Sequence, residues 1–143
     1  MKYISALALL GLLFSFSRTE RPAGVTSGSE PEVTLRVCFE GFEQKGNILV
    51  MLKNEREQKV DSAVIEAKGT KVCYAFNGLA SGSYAASAFH DLNTNNKPDK
   101  NMFGAPAEPY GFSNNVRSTF GPPDFKKQLV KVTDEKEIFI ELR

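Results

Sequence analysis

The sequence has few of the residues that form common metal and redox sites. It contains one histidine and two cysteines among 143 residues. The cysteines, Cys38 and Cys73, are far apart, so the chain has neither a C-x-x-C motif nor a zinc-binding set of cysteine and histidine. A serine nucleophile in a G-x-S-x-G setting is also absent. These absences argue against a zinc domain and against a hydrolase of the serine nucleophile type.

An excess of charge of one sign is lacking as well. The chain has 18 basic and 17 acidic side chains. Lys2 is the only charged residue among the first 17, so the remainder is formally neutral. A neutral chain has no electrostatic attraction for nucleic acid or for an anionic membrane, and we expect neither as a partner.

The longest apolar run is too short to cross a membrane. It extends from Ile4 to Phe16 after a basic start at Lys2, whereas a spanning helix needs roughly 20 apolar residues. A basic start followed by a short apolar run is typical of a secretory signal peptide. We predict a signal peptide at residues 1–17 and export to the periplasm or the medium, with a membrane anchor as the alternative. Residues 18–32 are rich in Pro, Gly, Ser and Thr and are predicted to be a flexible linker.

From Val33 onward apolar and polar residues alternate, which is the pattern of strands with one buried face. Further runs of this kind are Ile48–Leu52, Val72–Phe76, Tyr84–Phe89, Gln128–Val132 and Glu137–Leu142. The other side of Ile48–Leu52 is apolar too, as in a central strand. Turn residues separate the runs, and no stretch carries a clean helical stripe; Glu55–Val64 is the best helical candidate. The pattern predicts one all-β domain at residues 33–143, an antiparallel β-sandwich of about seven strands.

Both cysteines fall in predicted strands, on the face opposite the larger apolar residues. If the two strands are neighbours, a disulfide would close a loop of about 35 residues and stabilise the fold by roughly 3 to 4 kcal/mol. The alternative is two separate, half-buried thiols. The sequence leaves both open.

A long segment between Asp91 and Lys126 interrupts the strand pattern. It is rich in proline, asparagine and glycine, and loops of this length are usually functional or disordered. Its large apolar side chains predict an ordered loop anchored on the sandwich. These side chains are Met102, Phe103, Tyr110, Phe112, Phe120 and Phe125.

The start of this segment has the residue order of a calcium-binding loop. Side-chain oxygens recur at positions 1, 3, 5 and 9, and position 7 can offer a backbone carbonyl; these residues are Asp91, Asn93, Asn95, Asp99 and Lys97. Asn96 replaces the usual glycine at position 6, and Met102 replaces the glutamate at position 12, so Asp99 or Glu108 would complete the shell. Two formal charges predict an affinity of roughly 10⁻⁴ to 10⁻³ M. The alternative is a set of Asx turns that binds no ion.

Two further features are candidates for function. His90, beside Asp91, is either a structural side chain or a general base working with Asp91 or Glu108. The aromatic and amide residues that follow are either anchors of the loop or a surface for a carbohydrate or a protein. We predict a ligand-binding set of His90, Glu108, Tyr110, Phe112, Asn114 and Asn115.

Four motifs in this segment resemble a known bacterial family. They are F-H-D-x-N-x-N-x-K-x-D (Phe89–Asp99), N-x-F-G-x-P (Asn101–Pro106), Y-G-F-S-N-N (Tyr110–Asn115) and F-G-P-P-x-F (Phe120–Phe125). In this order they are similar to the exported proteins grouped as domain of unknown function 2141. The resemblance implies an envelope or secreted location and a sandwich of immunoglobulin-like or prealbumin-like type, and it implies no activity.

Together these features favour an exported, non-catalytic β-sandwich module whose loop binds calcium and orders a surface for a ligand or protein. An envelope hydrolase using His90 and a plain structural accessory domain are the alternatives. Calcium is the only cofactor predicted, and carbohydrate or an envelope protein is the predicted type of partner.

Overall fold

The computed structural model describes residues 31–143. Within this range the chain forms eight strands and two very short helices. The strands are β1 (Val33–Glu40), β2 (Asn47–Asn54), β3 (Lys59–Glu66), β4 (Val72–Leu79), β5 (Gly82–Asp91), β6 (Tyr110–Phe112), β7 (Val130–Val132) and β8 (Lys136–Glu141). The helices are a 3-10 turn, Ser113–Asn115, and α1 (Phe125–Gln128). The predicted signal peptide, 1–17, and residues 18–30 of the predicted linker lie outside the described residues.

In this part of the chain the strands form two sheets, which confirms the predicted all-β sandwich. One sheet has the order β4-β1-β8, and the other has the order β3-β2-β5-β6, with β7 pairing to the start of β5. All pairs are antiparallel except β1 with β8, which is parallel. Alternation in the sequence gives the buried face of a strand but not the direction of its partner, so the parallel pair was not predicted.

The core lies between the two sheets and is formed by the inward faces predicted from the alternation. Strand β1 contributes Leu35, Val37 and Phe39, which are fully buried. Strand β2 contributes Ile48 and Leu52 from the opposite sheet. Strand β2 lies inside its sheet, between β3 and β5, as the apolar residues on both of its faces predicted, and its outer side is only partly covered.

Two strands were missed by the sequence analysis, for different reasons. Strand β3 lies at the edge of its sheet and overlaps Glu55–Val64, where no strand was predicted. Its inward side chains Ala63 and Ile65 are only partly buried and its other residues are exposed, so the alternation is too weak to reveal the strand. Strand β6 has only three residues and depends on pairing with β5 and on hydrogen bonds between Tyr110 and Arg143.

The cysteines lie directly opposite each other on β1 and β4 and form a disulfide. Their strands are neighbours, as the disulfide alternative required. The bond lies on the outer face of this sheet, and Phe139 of β8 is the register neighbour of Cys38 on the other side. It joins the central strand of the sheet to an edge strand.

No helix between residues 31 and 143 has the length and apolar character needed to cross a membrane.

Replacing both cysteines, Cys38→Ala and Cys73→Ala, should lower the free energy of unfolding by about 3 to 4 kcal/mol, because the 35-residue loop then gains its full freedom in the unfolded chain. Urea unfolding of the two proteins measures this difference. Reductant should lower the midpoint of the wild type and leave that of the double variant unchanged. Equal midpoints without reductant would contradict the prediction.

Candidate functional site

The site begins where β5 ends, with two buried side chains on opposite faces of the strand. Successive strand residues point to opposite sides, so His90 faces the core while Asp91 shares the outer face with Phe89 and Ser87. Both His90 and Asp91 have 0% of their surface exposed. The backbone of Asp91 is closely approached by Gly46, where an added Cβ would lie 2.1 Å from the Asp91 carbonyl oxygen. The end of β5 is therefore fixed by the neighbouring start of β2.

His90 has the environment of a structural side chain. Its Nε2 lies 2.6 Å from the carbonyl oxygen of Lys45, so this nitrogen carries the proton and donates it. The ring also meets the edge of Phe42, at a centroid distance of 6.0 Å. Its Nδ1 is buried and has no hydrogen-bond partner in the described part of the chain. Within residues 31–143 the ring is fully buried and bonds only to backbone, which argues against His90 as the general base of the hydrolase alternative.

Asp91 organises the loop that follows it. Its two carboxylate oxygens accept hydrogen bonds from the backbone N–H groups of Asn95, at 3.1 Å, and Asn96, at 2.7 Å. The chain curls tightly enough for this because Thr94 and Asn96 adopt left-handed backbone angles, with φ of 59° and 60°. Asparagine tolerates this conformation better than most residues, so Asn96 fills the position where glycine is usual in calcium loops.

The other predicted ligands converge on Asp99. The side-chain amides of Asn93 and Asn95 donate to its two oxygens at 2.5 and 3.0 Å. The amide oxygen of Asn93 accepts from the N–H of Asn95, and that of Asn95 accepts from the N–H of Lys97. These two contacts are the Asx turns of the alternative interpretation. The structure thus brings all five predicted metal residues into one small loop.

Glu108 closes this loop from outside. One carboxylate oxygen accepts from the N–H of Leu92 at 3.0 Å, and the other accepts from the N–H of Asp99 at 3.2 Å. Glu108 is 8% exposed. Its carboxylate joins the first and last turns of the loop, so Glu108 has a structural role. The predicted contact between Glu108 and a ligand stays a prediction.

The loop offers the oxygen ligands that a hard cation prefers, although its carboxylate groups do not all converge on one point. Residues 31–143 contain no cluster of three or more His, Cys, Asp or Glu that could hold a metal by itself. A calcium ion would therefore also need the amide oxygens of Asn93 and Asn95 and the Lys97 carbonyl. Each Asp91 oxygen keeps a lone pair beyond the N–H it accepts. The amide N–H groups beside Asp99 stand where a positive charge would bind, so oxygens reach this point only if both amides rotate and give up their Asx turns.

After the loop, residues 99–107 form a small hairpin. Backbone hydrogen bonds join Ala107 to Asp99 and Asn101 to Ala105. The Asn101 side chain holds the tip by accepting from the N–H groups of Phe103 and Ala105. The tip presents Met102 and Phe103 to solvent, 91% and 88% exposed.

The expectation that large apolar residues anchor the long segment is wrong for three of the six. Met102 and Phe103 are exposed at the hairpin tip, and Phe120 is 89% exposed in the loop before α1. Polar contacts to backbone hold the segment instead, mainly through Asp91 and Glu108. A segment fixed by hydrogen bonds can leave its aromatic side chains free to contact another molecule.

The outer face of the larger sheet forms the floor of a groove. Strand register places two rows of side chains across β3, β2, β5 and β6. The first row is Val64, Leu49, Phe89 and Tyr110, and the second is Ser62, Met51, Ser87 and Phe112. The hairpin from Lys100 to Pro106 and the loop from Ser118 to Pro122 contribute further lining residues. The groove has a volume of about 1120 Å³.

Some of the predicted ligand-binding residues lie in this groove, and others hold neighbouring backbone in place. Tyr110 and Phe112 lie on the groove floor. Asn114 donates to the carbonyls of Lys127 and Leu129, and Asn115 accepts from the N–H of Glu141. These two amides tie the 3-10 turn to neighbouring elements, and a ligand contact at either remains a prediction.

Sequence reasoning missed the remainder of the groove floor, since β3 was not predicted as a strand. The available signal was Leu49 and Met51, which gave β2 a second apolar face. Beside the groove, Arg117 donates to the carbonyls of Tyr110 and Glu141 and lies 5.5 Å from the Tyr110 ring centroid. These contacts tie Tyr110, at the β6 side of the groove, to β8.

These features define a small β-sandwich with an Asx-rich loop at the end of its fifth strand and an open groove beside it. A sequence model of the family described as "Uncharacterized protein conserved in bacteria (DUF2141)" matches residues 33–139. The chain belongs to this family, domain of unknown function 2141, as its four motifs predicted. No curated protein and no solved structure matches the chain.

The substitution Glu108→Gln should loosen the loop, because an amide can offer an oxygen to only one of the two N–H groups that the carboxylate accepts. We expect a loss of about 1 to 3 kcal/mol in unfolding free energy and faster hydrogen exchange at the amides of Leu92 and Asp99. Glu135→Gln, at an exposed turn, is the matched control. Unchanged exchange at both amides would show that Glu108 does not hold the loop.

Proposed function

We propose that this protein is an exported, non-catalytic binding module of the bacterial envelope, either periplasmic or secreted. Calcium binds the loop of residues 91–99 and fixes the adjoining hairpin as one wall of a ligand-binding groove. The observation that carries this proposal is that the loop continues directly into the hairpin of residues 99–107. Three residues of this stretch line the groove: Asn96, Pro98 and Lys100.

The charge balance of the loop supports a cation. Asp91, Asp99 and Glu108 are three carboxylates in or against one loop, and two of them are buried. None takes part in the salt bridges found in residues 31–143, which pair Arg36, Lys68 and Arg143 with other glutamates. The backbone N–H groups that Asp91 and Glu108 accept offset part of the cost of burying their charge, and a bound cation would offset more of it.

The ligand set favours calcium over magnesium. It consists of carboxylate, amide and carbonyl oxygens, a mixed set that suits the larger and variable coordination of calcium. Asp91 and Asp99 supply two charges, while Glu108 is engaged with backbone. An affinity of roughly 10⁻⁴ to 10⁻³ M is therefore expected, as in extracellular calcium modules.

The groove supports a binding role over the two alternatives. A hydrolase would need an accessible base, and His90 is enclosed. A plain accessory domain would need no concave surface beside Tyr110, where the groove lies. The exposed rings of Phe103 and Phe120 at its walls are typical of a surface that meets another molecule.

Calcium from zero to 10 mM should raise the melting temperature by several degrees, because binding to the folded state alone at 10 to 100 times Kd adds about 1.4 to 2.7 kcal/mol. Differential scanning calorimetry at constant ionic strength measures the shift, and magnesium should give a smaller one. Asp99→Asn should reduce the shift strongly, while Asp134→Asn, an exposed carboxylate outside the loop, should leave it unchanged. A transition that does not move over this range would refute calcium binding.

The second half of the proposal concerns the hairpin. Calcium should change the amide resonances of Phe103 and Gly104 in two-dimensional NMR spectra and slow their hydrogen exchange, since the ion fixes the loop from which the hairpin extends. Amides of α1, which lies away from the loop, serve as the internal reference. A melting shift without any change at the hairpin would separate calcium binding from control of the groove.

A further inference from the structure

We propose that the groove binds a single-chain anionic amphiphile of the fatty-acid type, with its apolar chain on the sheet and its head group at a rim lysine, Lys59 or Lys100. This inference rests on the proposed binding function of the groove and specifies its ligand class.

The floor has the shape and chemistry to accept an extended apolar chain. Strands about 4.8 Å apart make each four-residue row roughly 14 Å long, and the two rows are roughly 7 Å apart. The row of Val64, Leu49, Phe89 and Tyr110 is apolar apart from one hydroxyl. On the outer face of an antiparallel sheet polar side chains are usual, so an apolar row indicates a surface that is covered in use.

The charged residues of the lining have one sign. Among the groove residues in the described chain, Lys59 and Lys100 are charged and both are basic. Neither takes part in the salt bridges found within residues 31–143. An apolar floor with unpaired lysines at its rim complements a ligand that combines an apolar body with a negative head group.

Hydrogen bonding argues against a peptide or a sugar as the occupant. Both carry many donors and acceptors that must find partners when they leave water. The backbone of β2 and β5 is paired on both sides within the sheet, and the open edge of β3 lies beside the floor and not on it. The two floor rows offer only the hydroxyls of Ser62, Ser87 and Tyr110. An acyl chain has no polar groups, so it gives up no hydrogen bonds with water when it binds to this floor.

Charge also argues against a second copy of the chain. A two-fold interface brings the same patch of both molecules together. Lys59 and Lys100 of each copy would then approach a surface whose lining contains no acidic residue to pair with them. The two walls, which end in Phe103 and Phe120, make the surface concave and suit a slender ligand better than a flat partner.

The test uses alkyl sulfonates, which carry a permanent negative charge and do not form insoluble calcium soaps. Isothermal titration of the purified protein with decane-1-sulfonate, below its micelle concentration and with calcium present, should show one site per chain. Octane-1-sulfonate should bind about tenfold more weakly, because two methylene groups fewer are buried. Decan-1-ol should bind at least tenfold more weakly than the sulfonate, and decyltrimethylammonium more weakly still.

Variants separate the floor from the rim. Met51→Glu, at a partly exposed floor position, should weaken decane-1-sulfonate and decan-1-ol at least tenfold each. Lys59→Gln or Lys100→Gln should lower the affinity for decane-1-sulfonate to the affinity measured for decan-1-ol. The affinity for decan-1-ol should not change. Lys126→Gln, an exposed lysine on α1, is the matched control.

Several outcomes would overturn the inference. Equal affinity for the sulfonate, the alcohol and the ammonium compound would remove the head-group claim, and binding untouched by Met51→Glu would place the amphiphile elsewhere. Self-association through the groove in light scattering, abolished by Met51→Glu, would identify a second copy as the occupant. If calcium raises the melting temperature but no amphiphile binds, this inference fails and the proposed function stands; if amphiphile binds without any calcium effect, the calcium proposal fails and the ligand class stands.

Discussion

Two buried carboxylates hold the part of this protein that differs most from a plain sandwich. Asp91 accepts backbone N–H groups from the middle of the loop, and Glu108 accepts them from its two ends. Hydrogen bonds to an ionised acceptor are stronger than those between neutral groups. The hairpin of residues 99–107 extends from this loop, so its position over the sheet depends on these few contacts. The negative charge they concentrate is also the reason to expect a cation.

Because polar contacts hold the segment, its apolar side chains are free for another purpose. Met102, Phe103 and Phe120 would normally be anchors in a segment of this length, yet all three face solvent. They stand beside or near a sheet face that is itself apolar. Both features follow from one arrangement, in which hydrogen bonds to the backbone supply order and the apolar side chains are left uncovered.

The sequence predicted the fold from its strongest local patterns. Alternation located β1, β2, β4, β5, β7 and β8 and the residues that form the core, and turn residues separated them. It could not identify β3, whose two faces are both largely exposed, or the three residues of β6, which are strand only because of their partners. The direction of β8 was likewise fixed by tertiary pairing and not by its own residues.

The candidate site was predicted in part, for a similar reason. The spacing of Asp and Asn residues located the loop, because a pattern within nine residues is a local property of the sequence. The groove was not predicted, because its floor is assembled from four strands that are distant in sequence. The structural use of Asn114, Asn115 and His90 also depends on partners far along the chain. Residue type alone does not distinguish an amide that binds a ligand from one that binds backbone.

The parallel pairing of β1 with β8 has a consequence for the order in which the chain can fold. The first strand lies at the centre of its sheet, yet one of its two neighbours comes from about 100 residues later. When the chain folds from its N-terminal end, β1 can pair early with β4 alone, and the disulfide joins it to that earlier partner. The other side of β1 stays unpaired until β8 is available. Until then the sheet has an exposed strand edge, which promotes association between incompletely folded chains.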